Sequence, residues 1–261
     1  MEIIFQNAFK TWSLFHLAFF LAPWAIATVL YVLLRNKTPA LKRKIGLILS
    51  FVTVIDLMLR NGEIWVLNNF QIQPDLIPLQ VCHLATMVLV LAFWFKSNTL
   101  FAIAFCFNFP TALLSIIFAG ELAAMPTLLS FKAMAYLIGH SLIVGISVWA
   151  LASGLFVIDK KARHHSMLAI FSTYILMIPI NNLNNDLMPN YVSNYFFTYL
   201  PEPGTPLVWF YEWGQETTFL GMEINWLYLF LSILFGFSIY FLWLGLYYLF
   251  KKWIEPKLSI N

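Results

Sequence analysis

Residues 12–34 read WSLFHLAFFLAPWAIATVLYVLL, and none of these 23 positions is Asp, Glu, Lys or Arg. Roughly 20 apolar residues in a helix cross the hydrocarbon layer of a bilayer, so this run is long enough to span one. Its charged approach is weak (Glu2, then Lys10), which does not suit a cleaved signal. Further apolar stretches follow at about 45–68, 78–95, 99–118, 131–152, 167–187 and 225–250, giving about seven spans. Of 261 residues, 61% are hydrophobic and 10% charged. A soluble domain holds about 45–50% apolar and 25% charged residues. The fold class expected is therefore an all-α polytopic membrane protein, since hydrocarbon offers no water to satisfy backbone groups outside helices. Residues 1–261 read as a single integral membrane domain, with no internal repeat and no low-complexity tract.

The basic residues orient the spans. Arg35, Lys37, Lys42, Arg43 and Lys44 follow span 1, Lys96 follows span 3, Lys160, Lys161 and Arg163 follow span 5, and Lys251, Lys252 and Lys257 close the chain. With seven spans these all fall on one side, leaving Lys10 and Lys132 on the other and Arg60 inside span 2. Cytoplasmic loops are enriched in Lys and Arg, so the expected topology is N-terminus outside and C-terminus cytoplasmic, in a cell membrane. Glu2, Asp75, Glu121, Glu202, Glu212, Glu216 and Glu223 lie in the outer segments. Cations clustered at span ends are no nucleic-acid footprint, despite the net charge of +3. The outer segment 188–224 holds Pro201, Pro203 and Pro206 and many aromatic residues. It is too apolar for a free loop and is expected in the interface or folded back as a lid.

Polar side chains inside spans are costly and usually face a partner or a cavity. Here they crowd the outer halves. Span 2 carries Asp56, Arg60 and Glu63 at spacings of four and three, which puts them on one face, with Arg60 able to bridge both acids. Span 3 opens with Gln80, Cys82 and His83, span 5 carries Tyr136 and His140, and span 6 ends in NNLNND (181–186) after Pro179. Span 1 adds His16, read as a satisfied interhelical histidine. Cys106, inside FCFNFP, reads as packing, and His164 and His165 as solvated surface. The span 2 ladder and the asparagines have two open readings, structural glue or contact with a substrate.

Pro78 suits the first turn of a helix, which places Cys82 about one turn in. There the helix dipole favours a thiolate, the nucleophilic form. A histidine from another span would complete a Cys–His pair, and His140 is the better placed base. His83 is turned about 100° from Cys82, because neighbours on a helix do not share a face. A thiol within a span also reads simply as a small hydrophobe. Two cysteines make no disulfide framework. No pair of ligands has the i, i+4 spacing of a helical metal site, so neither metal nor cofactor is expected.

The order of IPLQVCHLA (77–85), RNGEIW (60–65), GHSLIVG (139–145) and NYFFTYLPEPGTPL (194–207) resembles the YwaF-like family of bacterial integral membrane proteins. That family is related to the eukaryotic transmembrane protein 164 group, regarded as acyltransferases acting on phospholipids. The resemblance covers most of the chain. It implies Cys82 as the acyl-accepting nucleophile and His140 as its partner, and Asn194 and Tyr195 match the motif after span 6. The chain departs from the family at Gln80, where a histidine is usual.

The function expected is a membrane acyltransferase or transacylase acting on phospholipid or lysophospholipid, with Cys82 and His140 catalytic. Gln80, His83, Arg60, Glu63, Asn181, Asn182, Asn185 and Asn194 are the candidate substrate-binding residues. The partners expected are membrane phospholipids, with no nucleic acid and no protein partner. The alternatives are a transporter or channel for a small polar solute, for which there is no inverted repeat, a metal or haem protein, and a structural membrane protein.

Overall fold

The computed structural model describes residues 9–258 apart from 121, 123, 124 and 126, with side chains described as far as Lys252. Glu2 and Glu121 lie outside the described residues, as does the side chain of Lys257. Among the described residues, seven helices are long and apolar enough to cross a membrane. They are α1 (Leu14–Leu34), α2 (Pro39–Leu67), α3 (Val81–Phe95, in a span that begins at Pro74), α4 (Asn98–Phe118), α5 (Phe131–Ala152), α6 (Lys160–Leu187) and, after a short helix α7 (Leu207–Trp213), α8 (Trp226–Leu258).

Their starts follow from local chemistry. The first N–H groups of a helix lack an intrahelical acceptor, and a short oxygen-bearing side chain supplies one. Ser13, Thr38, Ser97, Ser130 and Asp159 do this for α1, α2, α4, α5 and α6. Pro39 occupies the first turn of α2, where its missing N–H costs nothing.

The spans assemble around α4 and α5, whose spanning windows are 61% and 56% buried, against 22% for α1 and 28% for α2 and α8. Glycines set the closest approaches. A Cβ on Gly145 of α5 would lie 3.0 Å from the Pro23 carbonyl of α1, and one on Gly46 of α2 would lie 2.2 Å from the Phe93 ring of α3. Both α4 and α5 contain a π-helical turn, at Ala104–Asn108 and Ala135–Gly139.

The two ends of the bundle differ. At the basic end, rings fill the core. Phe101 stacks on Phe156 at 4.4 Å, Phe93 meets Phe156 edge-on at 5.2 Å, and Phe105 stacks on Phe109 at 5.3 Å. At the other end, segment 188–224 packs onto the bundle as a cover. Phe196 wedges against Tyr174 (5.3 Å) and Phe107 (6.1 Å), and Tyr195 is fully buried. The cover also contains two short strands, a departure from the purely helical expectation. β1 (Glu216–Phe219) pairs with β2 (Met222–Asn225) antiparallel, across a turn in which Leu220 and Gly221 both have positive φ. That geometry matches a two-residue hairpin turn.

Candidate functional site

Pro78 falls in the turn before α3 and not in its first helical turn. Gln80 is the N-cap, without a side-chain capping bond, and Val81 is the first helical residue. Cys82 and His83 are therefore the second and third residues of α3. The Leu84 N–H donates the first intrahelical bond, to the Gln80 carbonyl at 2.9 Å. Cys82 lies nearer the positive end of the helix dipole than a start at Pro78 would have placed it. Its side chain is half-buried.

His140 follows directly on the π turn of α5. Its Nδ1 lies 2.7 Å from the carbonyl of Tyr136. A carbonyl only accepts, so Nδ1 carries the proton and Nε2 is left with its lone pair. The Tyr136 ring packs on the imidazole at 4.4 Å, and its hydroxyl donates to the Ser115 carbonyl of α4 at 2.7 Å. Asp56 of α2 approaches the same turn, since a Cβ on Gly139 would lie 3.7 Å from its Oδ2. His83 of α3 is within electrostatic range of both His140 and Arg60. Three helices thus bring Asp56, His83 and His140 into one neighbourhood. Asp56 Oδ2, His83 Nδ1 and His140 Nε2 are each buried with no hydrogen-bond partner among the described residues.

The ladder expected along α2 does not form. Arg60 turns to the loop before α3, donating to the Asp75 carbonyl at 2.7 Å and pairing with its carboxylate at 3.4 Å. Glu63 accepts from the Lys132 N–H at 2.7 Å, in the first turn of α5. Intrahelical spacing fixes which residues share a face, but a neighbouring segment with open donors or acceptors competes for the same groups. No feature of the sequence marked Asp75 as the partner of Arg60.

The asparagines are held by the cover. Asn181 is fully buried. It donates to the Tyr195 carbonyl (3.0 Å) and Thr198 Oγ1 (2.8 Å), and accepts from Ser193 Oγ (2.9 Å) and Tyr195 N–H (2.8 Å). Asn182 binds the backbone of Glu223, Asn185 that of Ser193, and Asn194 the backbone of Tyr199 and Leu200. These bonds hold Phe196 and Phe197 at φ 56° and 52°, a conformation non-glycine residues rarely adopt. Burial pushes the Tyr195 hydroxyl above the usual tyrosine range, so it stays a donor to the Pro74 carbonyl at 2.7 Å. His16 is satisfied at both nitrogens, accepting from the Trp12 N–H (2.8 Å) and donating to the Ile116 carbonyl (2.7 Å). Cys106 is fully buried in the π turn of α4, and His164 and His165 are exposed.

A groove of about 350 Å3 lies between α1 and α5, lined by Ala18, Phe19, Ala22, Leu137, Ser141, Leu142 and others; His140, between Leu137 and Ser141 in the chain, is not itself in the lining. Phe19, on the groove wall, packs against Tyr136 at 6.2 Å.

No curated protein and no solved structure gives a significant match. The TMEM164 family model matches residues 8–249, a stretch that takes in six spans and most of the seventh, and the chain belongs to the TMEM164 family.

Proposed function

We propose that this protein is a membrane-embedded transacylase that moves a fatty acyl chain between phospholipids, with Cys82 as nucleophile and His140 as base. The observation that carries the reading is His140 itself. Its Nδ1–H is committed to the Tyr136 carbonyl, which leaves the Nε2 lone pair buried and unpartnered among the described residues. His83, turned about 100° from Cys82 on α3, shares those surroundings. The motif resemblance assigns the same two residues.

The Cys82 thiol gives its proton to His140 Nε2 while sulfur attacks an ester carbonyl. The ester C–O bond breaks, His140 returns the proton to the departing lysophospholipid oxygen, and the acyl group stays on sulfur as a thioester. An acceptor lysophospholipid hydroxyl then attacks the thioester. Its proton passes through His140 to the leaving thiolate, and Cys82 is regenerated. N–H groups at the start of α3 favour the thiolate and the developing oxyanion. The groove between α1 and α5 offers the acyl chain an apolar bed. With the basic end in the cytoplasm, the N-terminus and the site lie on the outer side of a cell membrane. No acyl-CoA is available there in a bacterium, so a phospholipid is the donor.

Liposome-reconstituted protein given labelled lysophospholipid tests this. Cys82→Ala is expected to lower transfer at least about a thousandfold. Undiminished turnover in that variant rules out the thioester route.

A further inference from the structure

A second cavity, of about 540 Å3, lies at the basic end between the start of α2 and the end of α3. Arg43, Lys44, Leu47, Phe93, Trp94 and Lys96 line it. It is distinct from the Cys82 region, because Phe93 lies about 17 Å along α3 from Cys82 at the helical rise. Three lining residues are cations and none is an acid. The ion pair formed among the described residues is Arg60–Asp75, at the opposite end, so none of the three cations has a carboxylate there to neutralise it.

Arg43 is the built part of the site. Its guanidinium lies over the Phe156 ring at 4.9 Å, and Nη2 donates to the Leu155 carbonyl. Nη1 is buried without a hydrogen-bond partner among the described residues. A charge held in place and left short of a partner is costly unless an anion shares the site. The other wall is hydrocarbon and aromatic, with Leu47, buried Phe93 and the largely exposed Trp94. Tryptophan favours the headgroup level, where phosphates lie. Arg35, Lys37 and Lys42 belong to the same end and deepen its positive field.

We propose that this cavity is a binding site for an anionic phospholipid, its phosphate held by Arg43, Lys44 and Lys96 and one acyl chain lying along Leu47, Phe93 and Trp94. A free anion would have use for the cations alone. A neutral lipid would have use for the apolar wall alone. The pairing of both within one cavity selects an amphiphile with a negative head. The assignment does not depend on the acyl-transfer reading, since it uses none of the same residues.

Quenching of tryptophan fluorescence by brominated-chain lipids tests it, on the whole protein in phosphatidylcholine vesicles. Brominated phosphatidylglycerol is expected to quench a component that Trp94→Phe lacks, at a mole fraction at least tenfold lower than brominated phosphatidylcholine needs. Lys44 and Lys96 are exposed, so Lys44→Gln/Lys96→Gln should fold normally. Matching thermal unfolding in phosphatidylcholine alone checks that it does. The double variant is expected to lose roughly fivefold in preference per charge removed, which leaves little or none of it. Excess inorganic phosphate should leave the quenching in place. An unchanged preference in the folded double variant overturns the proposal. So does displacement by inorganic phosphate, which would mark a free-anion site, or equal quenching by both lipids, which would mark ordinary lipid contact.

Discussion

Two polar clusters lie toward the same end of the bundle and use their hydrogen-bonding capacity in opposite ways. Around Asn181, both donors and both acceptor positions of one amide are filled by Ser193, Tyr195 and Thr198. Around His140, an imidazole, a second imidazole and a carboxylate each keep a buried atom without a partner among the described residues. A satisfied buried network stabilises, whereas an open one costs free energy and persists where something else requires it. On the proposed reading, the difference separates residues that hold the fold from those available for chemistry. It does so within asparagines and histidines that look equally suggestive in the sequence.

The contrast is broken most forcefully at His140. His140→Gln should lower acyl transfer by about 10²- to 10⁴-fold, because Gln offers no basic nitrogen. Its unfolding temperature should shift little, because the bond lost is a local one to Tyr136. A large fall in unfolding temperature with unchanged transfer per folded molecule would exchange the roles of the two clusters. Asn181→Ala should behave in the reverse sense. It leaves the Ser193 hydroxyl and Tyr195 N–H without their acceptor, and stability should fall by about 3 kcal/mol. Denaturant unfolding in detergent measures this, and transfer by the folded fraction should stay within about twofold of wild type. Arg60→Gln gives the smallest effect. Asp75 is 46% exposed at the side chain, so solvent screens the ion pair. The loss should be about 1 kcal/mol or less, readable as a small shift of the same unfolding curve.

Much of the fold was legible in the chain. Span 5 was read at 131–152 and the helix is Phe131–Ala152, because a run of apolar residues between polar loops is a coarse and strong signal. The start of α3 was misjudged because proline suits a turn as readily as a first helical position, and Pro78 lies in the turn before Gln80. The hairpin at 216–225 was missed, although ETTF and MEIN flank a Leu-Gly pair suited to a tight turn. The site was harder. Helical spacing indicated that Cys82 and His83 point apart, but could not indicate which neighbour each one meets. That depends on how α2, α3 and α5 rotate against one another, which a small residue such as Gly46, tight against Phe93, helps to set. The Arg60–Asp75 pair is likewise a product of assembly.

The stapled Tyr195–Phe197 turn has a consequence for traffic. With Phe196 driven between Tyr174 and Phe107 and its flanks tied to Asn181, it acts as a stopper. On the transacylase reading, that plug closes the site toward water at this end, and substrates dissolved among the lipid tails would enter sideways between α1 and α5. The chain would thus choose its guests first by the phase they travel in, and only afterwards by their shape.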